Sequence, residues 1–182
     1  MADFQRVMRR IVTGDNERGK STIILDGGPS SSLGDPDFGG LFEIWEEAIT
    51  GALDPRATKD LVGATPKLGP RAGNFQVRWF VVHPSPDGVP RDVLNSVARD
   101  SFAAVGGAEH IIDQSRHPSM HETHTVDVIC LVQGSVKLIL EDTETILSPG
   151  QVVIQRGTNH AWEPIGGPAL LLAVLIDRSD AR

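Results

Sequence analysis

Apolar and polar residues alternate with a period of two along several stretches of this chain, and the alternation predicts strands. It is cleanest at Phe75–Val82, FQVRWFVV, where Phe75, Val77, Trp79 and Val81 fall on one face and Gln76, Arg78, Phe80 and Val82 on the other. Past residue 121 the pattern is β throughout. Asp127–Gln133 and Ser135–Glu141 meet at Gly134, and Glu144–Leu147 and Gln151–Gln155 meet across Ser148, Pro149 and Gly150. Ala169–Ile176, ALLLAVLI, is apolar nearly without a break, as expected of a strand covered on both faces. Short strands spaced about 8–12 residues apart, with turn residues between them, indicate an all-β sandwich or barrel.

The first half is less regular. Arg10–Thr13 and Ser21–Leu25 flank DNERGK, a polar linker suited to a hairpin. Residues 27–40, GGPSSSLGDPDFGG, read as a long irregular loop or lid. LFEIWEE at 41–47 suits a strand or a short helix, and the glycine- and proline-rich residues 51–74 offer little regular structure. Asp92 is placed to cap a helix whose Leu94, Val97, Ala98 and Val105 share a face, and Gly106 and Gly107 stop it. Residues 1–110 thus form strands, loops and one helix that extend a β core at 111–182, all within one structural domain.

Composition narrows the function. The chain has 182 residues, enough for one domain with a real core. A net charge of −7 argues against a nucleic-acid partner, which needs a basic footprint. No apolar run approaches the length that spans a bilayer, so no membrane partner is expected. Met1–Arg10 is polar and lacks a leader-like apolar stretch, so a cytoplasmic location is expected. The single cysteine, Cys130, lies between Ile129 and Leu131 and reads as a buried, inert thiol.

Four of the six histidines fall in residues 117–162. Here HETHTVD, with Gly134 beyond it, and Gly150 followed by GTNH at 157–160 resemble the two motifs of the cupin superfamily. His121 stands at the first histidine of the first motif, Thr123 at the second, and Asp127 where the family has glutamate. His160 is the histidine of the second motif. Gln155 or Arg156 stands in place of the usual proline, and Pro164 replaces the final asparagine. The resemblance covers roughly residues 117–176 and implies a jelly-roll β-barrel, commonly dimeric, with a site in its mouth.

It also implies a metal site made of His121, Asp127 and His160, with Thr123 or His124 as a possible fourth ligand. Two imidazoles and a carboxylate with open positions suit Fe(II), Zn or Mn. An extended run from His121 to Asp127 would span roughly 20 Å at about 3.3 Å per residue, so a shared site requires the chain to reverse within Glu122–Val126. The implied function is a metal-dependent cupin enzyme acting on a small oxygenated organic acid or related metabolite, by oxygenase, decarboxylase, isomerase or lyase chemistry. The alternative is a metal-free barrel that binds or senses a small ligand. A homodimer is expected, since it would cover open strand edges.

Several other side chains are candidates. Glu122 would serve as a base if it reached inward. Arg78 and Arg156 could grip a substrate carboxylate, or could be surface arginines. Trp162 could line the pocket or pack in the core, and Trp79 could be a barrel wall or a substrate shelf. Glu46 and Glu47 read as a solvated face. His83, His110 and His117 read as solvent-exposed.

Overall fold

The structure, a computed structural model, describes residues 4–58 and 60–179. Eleven strands dominate these residues: β1 (Arg10–Asp15), β2 (Ser21–Gly27), β3 (Ser31–Asp35), β4 (Gly39–Ala48), β5 (Asn74–Val82), β6 (Thr125–Gln133), β7 (Val136–Leu140), β8 (Glu144–Leu147), β9 (Val152–Gln155), β10 (His160–Pro164) and β11 (Ala169–Asp177). Helix is limited to one turn, α1 (Phe4–Val7), the longer α2 (Arg91–Ala104), and a 3-10 turn at Ala108–His110. No helix among the described residues is long and apolar enough to cross a membrane.

Six antiparallel strands form one sheet in the order β3-β4-β5-β11-β6-β9, and three form a second in the order β10-β7-β8. The two sheets face each other as an all-β jelly roll, with no continuous hydrogen-bonded ring closing them. Their facing sides share one core, in which Leu131 and Leu171 of the large sheet meet Val136, Leu138 and Trp162 of the small one. β11 lies between β5 and β6, which explains its unbroken apolar sequence: Ala169, Leu170 and Leu171 are fully buried. On the outer side of the large sheet, Trp79 and Val81 pack with Phe42 and Leu170 beneath Phe4 and Met8. The β1–β2 hairpin pairs separately, as its flanking polar linker predicts.

Two local expectations change, and one open alternative is decided. Residues 27–40 are not a loop throughout: β3 and β4 pair as a hairpin, with Gly34 opposite Gly40. The stretch 41–47 lies within β4, so the strand alternative holds. Helix α2 starts at Arg91 with Pro90 at its N-cap and no side-chain cap hydrogen bond, so Asp92 lies in the first turn and is not the cap. Proline suits a helix start because its missing N–H would have had no intrahelical partner there.

A β-bulge in β4 matters most for the interior. Glu43 pairs with Arg78, but Trp45 then pairs with Val77 and Glu46 with Gln76, so one residue is skipped between Glu43 and Trp45. Strict alternation would send Glu43 and Glu46 to opposite faces, whereas the extra residue brings both inward. Glu46 is therefore buried, not part of a solvated face.

The segment from His121 to Thr125 carries the chain between sheets. His121 bridges to His160 at the edge of the small sheet, and from Thr125 the chain runs in the large one. The expected reversal is instead a crossing from one sheet to the other, with a bend at His124.

Candidate functional site

Period-two alternation along β6 turns Thr125, Asp127, Ile129 and Leu131 toward the interior, where all four are buried. Asp127 sits opposite Gln155 of β9 on one side and Leu175 of β11 on the other. His160 opens β10, and its backbone exchanges two 2.9 Å hydrogen bonds with His121. That bridge sets the two imidazole rings side by side, with centroids 4.4 Å apart. A cavity of about 730 Å³ reaches them, lined also by Asp127, Thr123, Phe80 and Trp162, with the inner side of α2 over it.

Both imidazoles are held in one tautomer. His121 Nδ1–H donates to Ser119 O at 2.9 Å, and His160 Nδ1–H donates to Thr158 O at 2.9 Å. In the neutral rings, Nε2 then carries the lone pair. Gln155 braces the second ring: its amide donates to Thr158 O at 2.7 Å and to Thr158 Oγ1 at 2.6 Å, and lies 3.1 Å from His160 Nδ1. Burial pushes His121 down to about 3, helped by the neighbouring His160, and pushes His160 down to about 4. Near neutral pH both are uncharged acceptors.

Asp127 moves the other way. Burial raises its carboxyl to about 6, against the pull of the Thr125 hydroxyl and the Arg78 charge. The Thr123 and Thr125 hydroxyls are 2.7 Å apart, so a short hydroxyl chain leads to Asp127. Asp127 Oδ1 is buried without a hydrogen-bond partner. The usual order of basicity is thereby inverted: the carboxylate takes a proton before either imidazole does. Environments that displace titratable groups this far are typical of sites that handle protons.

Arg78 is buried in the wall, not on the surface. Its guanidinium pairs with Glu43 at 2.9 Å, and donates to Gln76 Oε1 at 2.8 Å, Leu68 O at 3.1 Å and Lys67 O. Glu43 is nonetheless raised to about 7, because burial outweighs Arg78. An arginine so engaged is not available to grip a substrate carboxylate.

The remaining candidates separate. Trp162 has both roles at once, packing in the main core and lining the cavity. Trp79 lies on the outer side of β5, away from the cavity. Arg156 is exposed, and neither it nor Glu122 lines this cavity. His124 is exposed and faces a second cavity with His110, the ring centroids 5.8 Å apart. Thr123 is buried in the wall that both cavities share. His117 is not free in solvent: its Nε2 lies 2.7 Å from Glu163 Oε2.

The donor chemistry of His121, His160 and Asp127 would suit a divalent ion, but their placement does not. Among the described residues no three His, Cys, Asp or Glu side chains converge closely enough to hold one. Of the three, the imidazoles of His121 and His160 lie side by side and Asp127 lines the same cavity.

Sequence reading missed Gln155, Thr125 and Glu43. Thr125 was within reach, since it shares the inward parity of Thr123 and Asp127. Gln155 and Glu43 depend on register with β6 and β5, which a single strand does not display.

The strand order is that of a jelly roll, and His121, Asp127 and His160 stand inside it at positions that resemble the cupin motifs. One stretch of the chain is similar to a cupin-domain protein. That protein is the cupin-domain-containing oxidoreductase fogC of Aspergillus ruber, 32% identical over 66 residues, which are 34% of this chain and 32% of that one. Phomopsin biosynthesis cluster protein C' of Diaporthe leptostromiformis is 43% identical over 44 residues, 24% of this chain and 23% of that one. The matches thus span only about a quarter to a third of these relatives' lengths. An RmlC-like cupin family protein with a double-stranded β-helix fold from Methanocaldococcus jannaschii superposes with a TM-score of 0.37 at 12% identity, covering 59% of this chain and 73% of that one. No protein-family model matches the chain.

Proposed function

We propose that this chain is a cupin enzyme that moves a proton on a small organic substrate held in the His121–His160 cavity. One observation carries the reading: two neutral imidazoles and a protonatable carboxyl, Asp127, line the same cavity. A carboxyl that titrates near neutrality is well placed as general acid or base. In one direction Asp127 as carboxylate takes a proton from carbon or oxygen. The imidazole lone pairs meanwhile accept hydrogen bonds from the substrate's hydroxyl groups and fix its orientation. In the other direction the Asp127 acid returns the proton, so the cycle balances without an oxidant. Isomerase- or lyase-type reactions proceed through such steps. The oxygenase reading needs a metal centre, which these residues do not preform.

Deuterium exchange tests this directly. A panel of small enolisable carbonyl compounds and phenols is incubated with the protein in deuterium oxide and followed by NMR. The expected result is exchange at carbon above the buffer rate for at least one compound, lost in Asp127→Asn and unchanged by chelator. Exchange that Asp127→Asn leaves intact, or none above buffer, overturns the reading. Exchange that chelator abolishes and one divalent metal restores would favour a metal-dependent enzyme instead.

The reading includes a homodimer. Strand β9 ends the large sheet, and Val152 and Ile154 on it are exposed beside Val128 of β6. An open edge with apolar side chains favours a second copy as cover. A sedimentation profile of a monomer at micromolar concentration would remove this part without touching the chemistry.

A further inference from the structure

The walls of the cavity say more about its ligand than the reacting groups do. Five rings follow one another around it: Phe102, His121, His160, Trp162 and Phe80. Successive centroids are 4.6, 4.4, 5.8 and 6.3 Å apart. This arc combines strands of both sheets with α2, so it is a property of the tertiary fold and of no single motif. Spacings of this kind are those at which aromatic rings attract one another, and a planar ring entering the space extends the same contacts.

Charge selects further. Arg78 is the only lysine or arginine among the residues lining this cavity, and its charge is engaged by Glu43. Two carboxylate side chains, Asp127 and Glu163, also line the space, and Glu163 is already paired with His117. An anionic ligand would find no free cation here and would meet negative charge, at a cost that burial enlarges. By contrast, the Nε2 atoms of His121 and His160 and the unpartnered Asp127 Oδ1 are hydrogen-bond acceptors that call for a donor on the ligand.

We infer that the ligand is an uncharged, planar aromatic molecule carrying hydroxyl groups, a phenol or its enol equivalent, with its ring against the aromatic arc and its hydroxyl toward the imidazole pair. This rests on the proposed function for the choice of cavity, and narrows the substrate class from the small organic acid that the sequence suggested. The mouth agrees in character. Phe38, in the turn between β3 and β4, and Val97 of α2 line it, and both are largely exposed as apolar side chains facing an entry path.

Calorimetry on the full chain with three probes of one shape tests the inference: naphthol, naphthoate and decahydronaphthol. Naphthol is expected to bind, with naphthoate weaker by about tenfold or more, and decahydronaphthol weaker by about threefold to tenfold, the range one lost aromatic contact implies. Phe102→Leu, on α2 and outside the strands, should narrow the gap between naphthol and decahydronaphthol. His160→Ala should weaken naphthol more than decahydronaphthol, since it removes a ring and an acceptor together. Should His160→Ala fail to fold, the Phe102→Leu comparison decides alone. Equal or tighter binding of naphthoate, indifference to aromaticity, or no binding of any probe at millimolar concentration overturns the inference. The two readings fail separately. Selective naphthol binding with no Asp127-dependent exchange leaves a binding module for phenols. Asp127-dependent exchange on carbonyl compounds, without the naphthol preference, leaves an enzyme for another substrate class.

Discussion

Two cavities of nearly equal volume, about 750 and 730 Å³, share Thr123, Leu68 and Val105 in their walls, yet they offer opposite chemistry. The larger lies under the loop 62–72 and is ringed by charged groups, among them Lys67, Arg71, Glu43 and Glu46. These are largely committed to one another: Glu46 accepts from the Arg71 backbone at 3.1 Å and from Asn74 Nδ2 at 2.9 Å, and Glu43 pairs with Arg78. The other holds few charges, but its imidazoles and carboxyl are poised and its walls are aromatic. Size therefore says little about function in this molecule. Unsatisfied oxygens occur in both, on Glu43 in the first and on Asp127 in the second, so what distinguishes the two spaces is the wall around them: charged side chains and loop backbone in one, aromatic rings and neutral imidazoles in the other.

Four experiments press on this contrast. Removing a reacting group should act on the aromatic cavity alone. His160→Ala is expected to lower the exchange rate by roughly a hundredfold or more, while the urea midpoint shifts modestly. An equal loss of stability and activity would mean that the ring is only a core side chain.

Arg78 lines the aromatic cavity and holds Lys67, Leu68 and Glu43 in the wall of the other, so Arg78→Met should disturb both. Its loss leaves the carbonyls of Lys67 and Leu68 without their donor, at about 1–3 kcal/mol in a denaturant titration, with faster proteolysis within residues 62–72. Wild-type resistance to protease would show that the loop is held by packing instead.

The pH dependence of stability should carry opposite signs in the two regions. Glu43 is raised in the fold to about 7, so its contribution is fully present below the unfolded carboxyl range and is lost as pH rises through about 7. Glu43→Gln should therefore compare more favourably with wild type at pH ~8 than at pH ~4. His160 is lowered to about 4, so its contribution is present above the usual imidazole range and is lost as pH falls through about 4. His160→Gln should show its relative gain at the acid end. Parallel trends in the two variants, read from chemical denaturation at each pH, would break the contrast.

The smallest effects belong to the exposed candidates. His124→Ala and Arg156→Ala should leave stability within about 0.5 kcal/mol and exchange unchanged. A hundredfold loss of exchange in His124→Ala would place the chemistry in the wrong cavity.

The parity of β5 was plain in the sequence, and it correctly grouped Gln76, Arg78, Phe80 and Val82 on one face without telling which face is inward. The motif spacing also located His121 and His160 before any strand was paired. Glu43 and Glu46 were hidden because a bulge breaks parity without any marking residue: Glu43, Ile44 and Trp45 look the same with or without it. Arg78 looked like a surface side chain because its partner lies on another strand, and only register reveals the pair. Of the ligand set His121, Asp127 and His160 that the motifs imply, the fold sets the two imidazoles side by side, and this pairing too is not visible in the sequence. Motif positions specify where along the chain a donor lies, while convergence depends on how the chain crosses between sheets at Glu122–His124.

The hairpin that carries Phe38 shows how such a site could change its preference. At Gly34 a side chain would press within 2.3 Å of Gly39 O, and at Gly40 within 2.4 Å of Leu33 O, so the two strands close only because both positions lack a Cβ. The frame of the mouth is thus intolerant of substitution, while its tip is not: Phe38 is 81% exposed and supports no core. Selectivity at the entrance and integrity of the sheet are written in different residues, so a new side chain at Phe38 can redraw the entrance while the fold stays as it is.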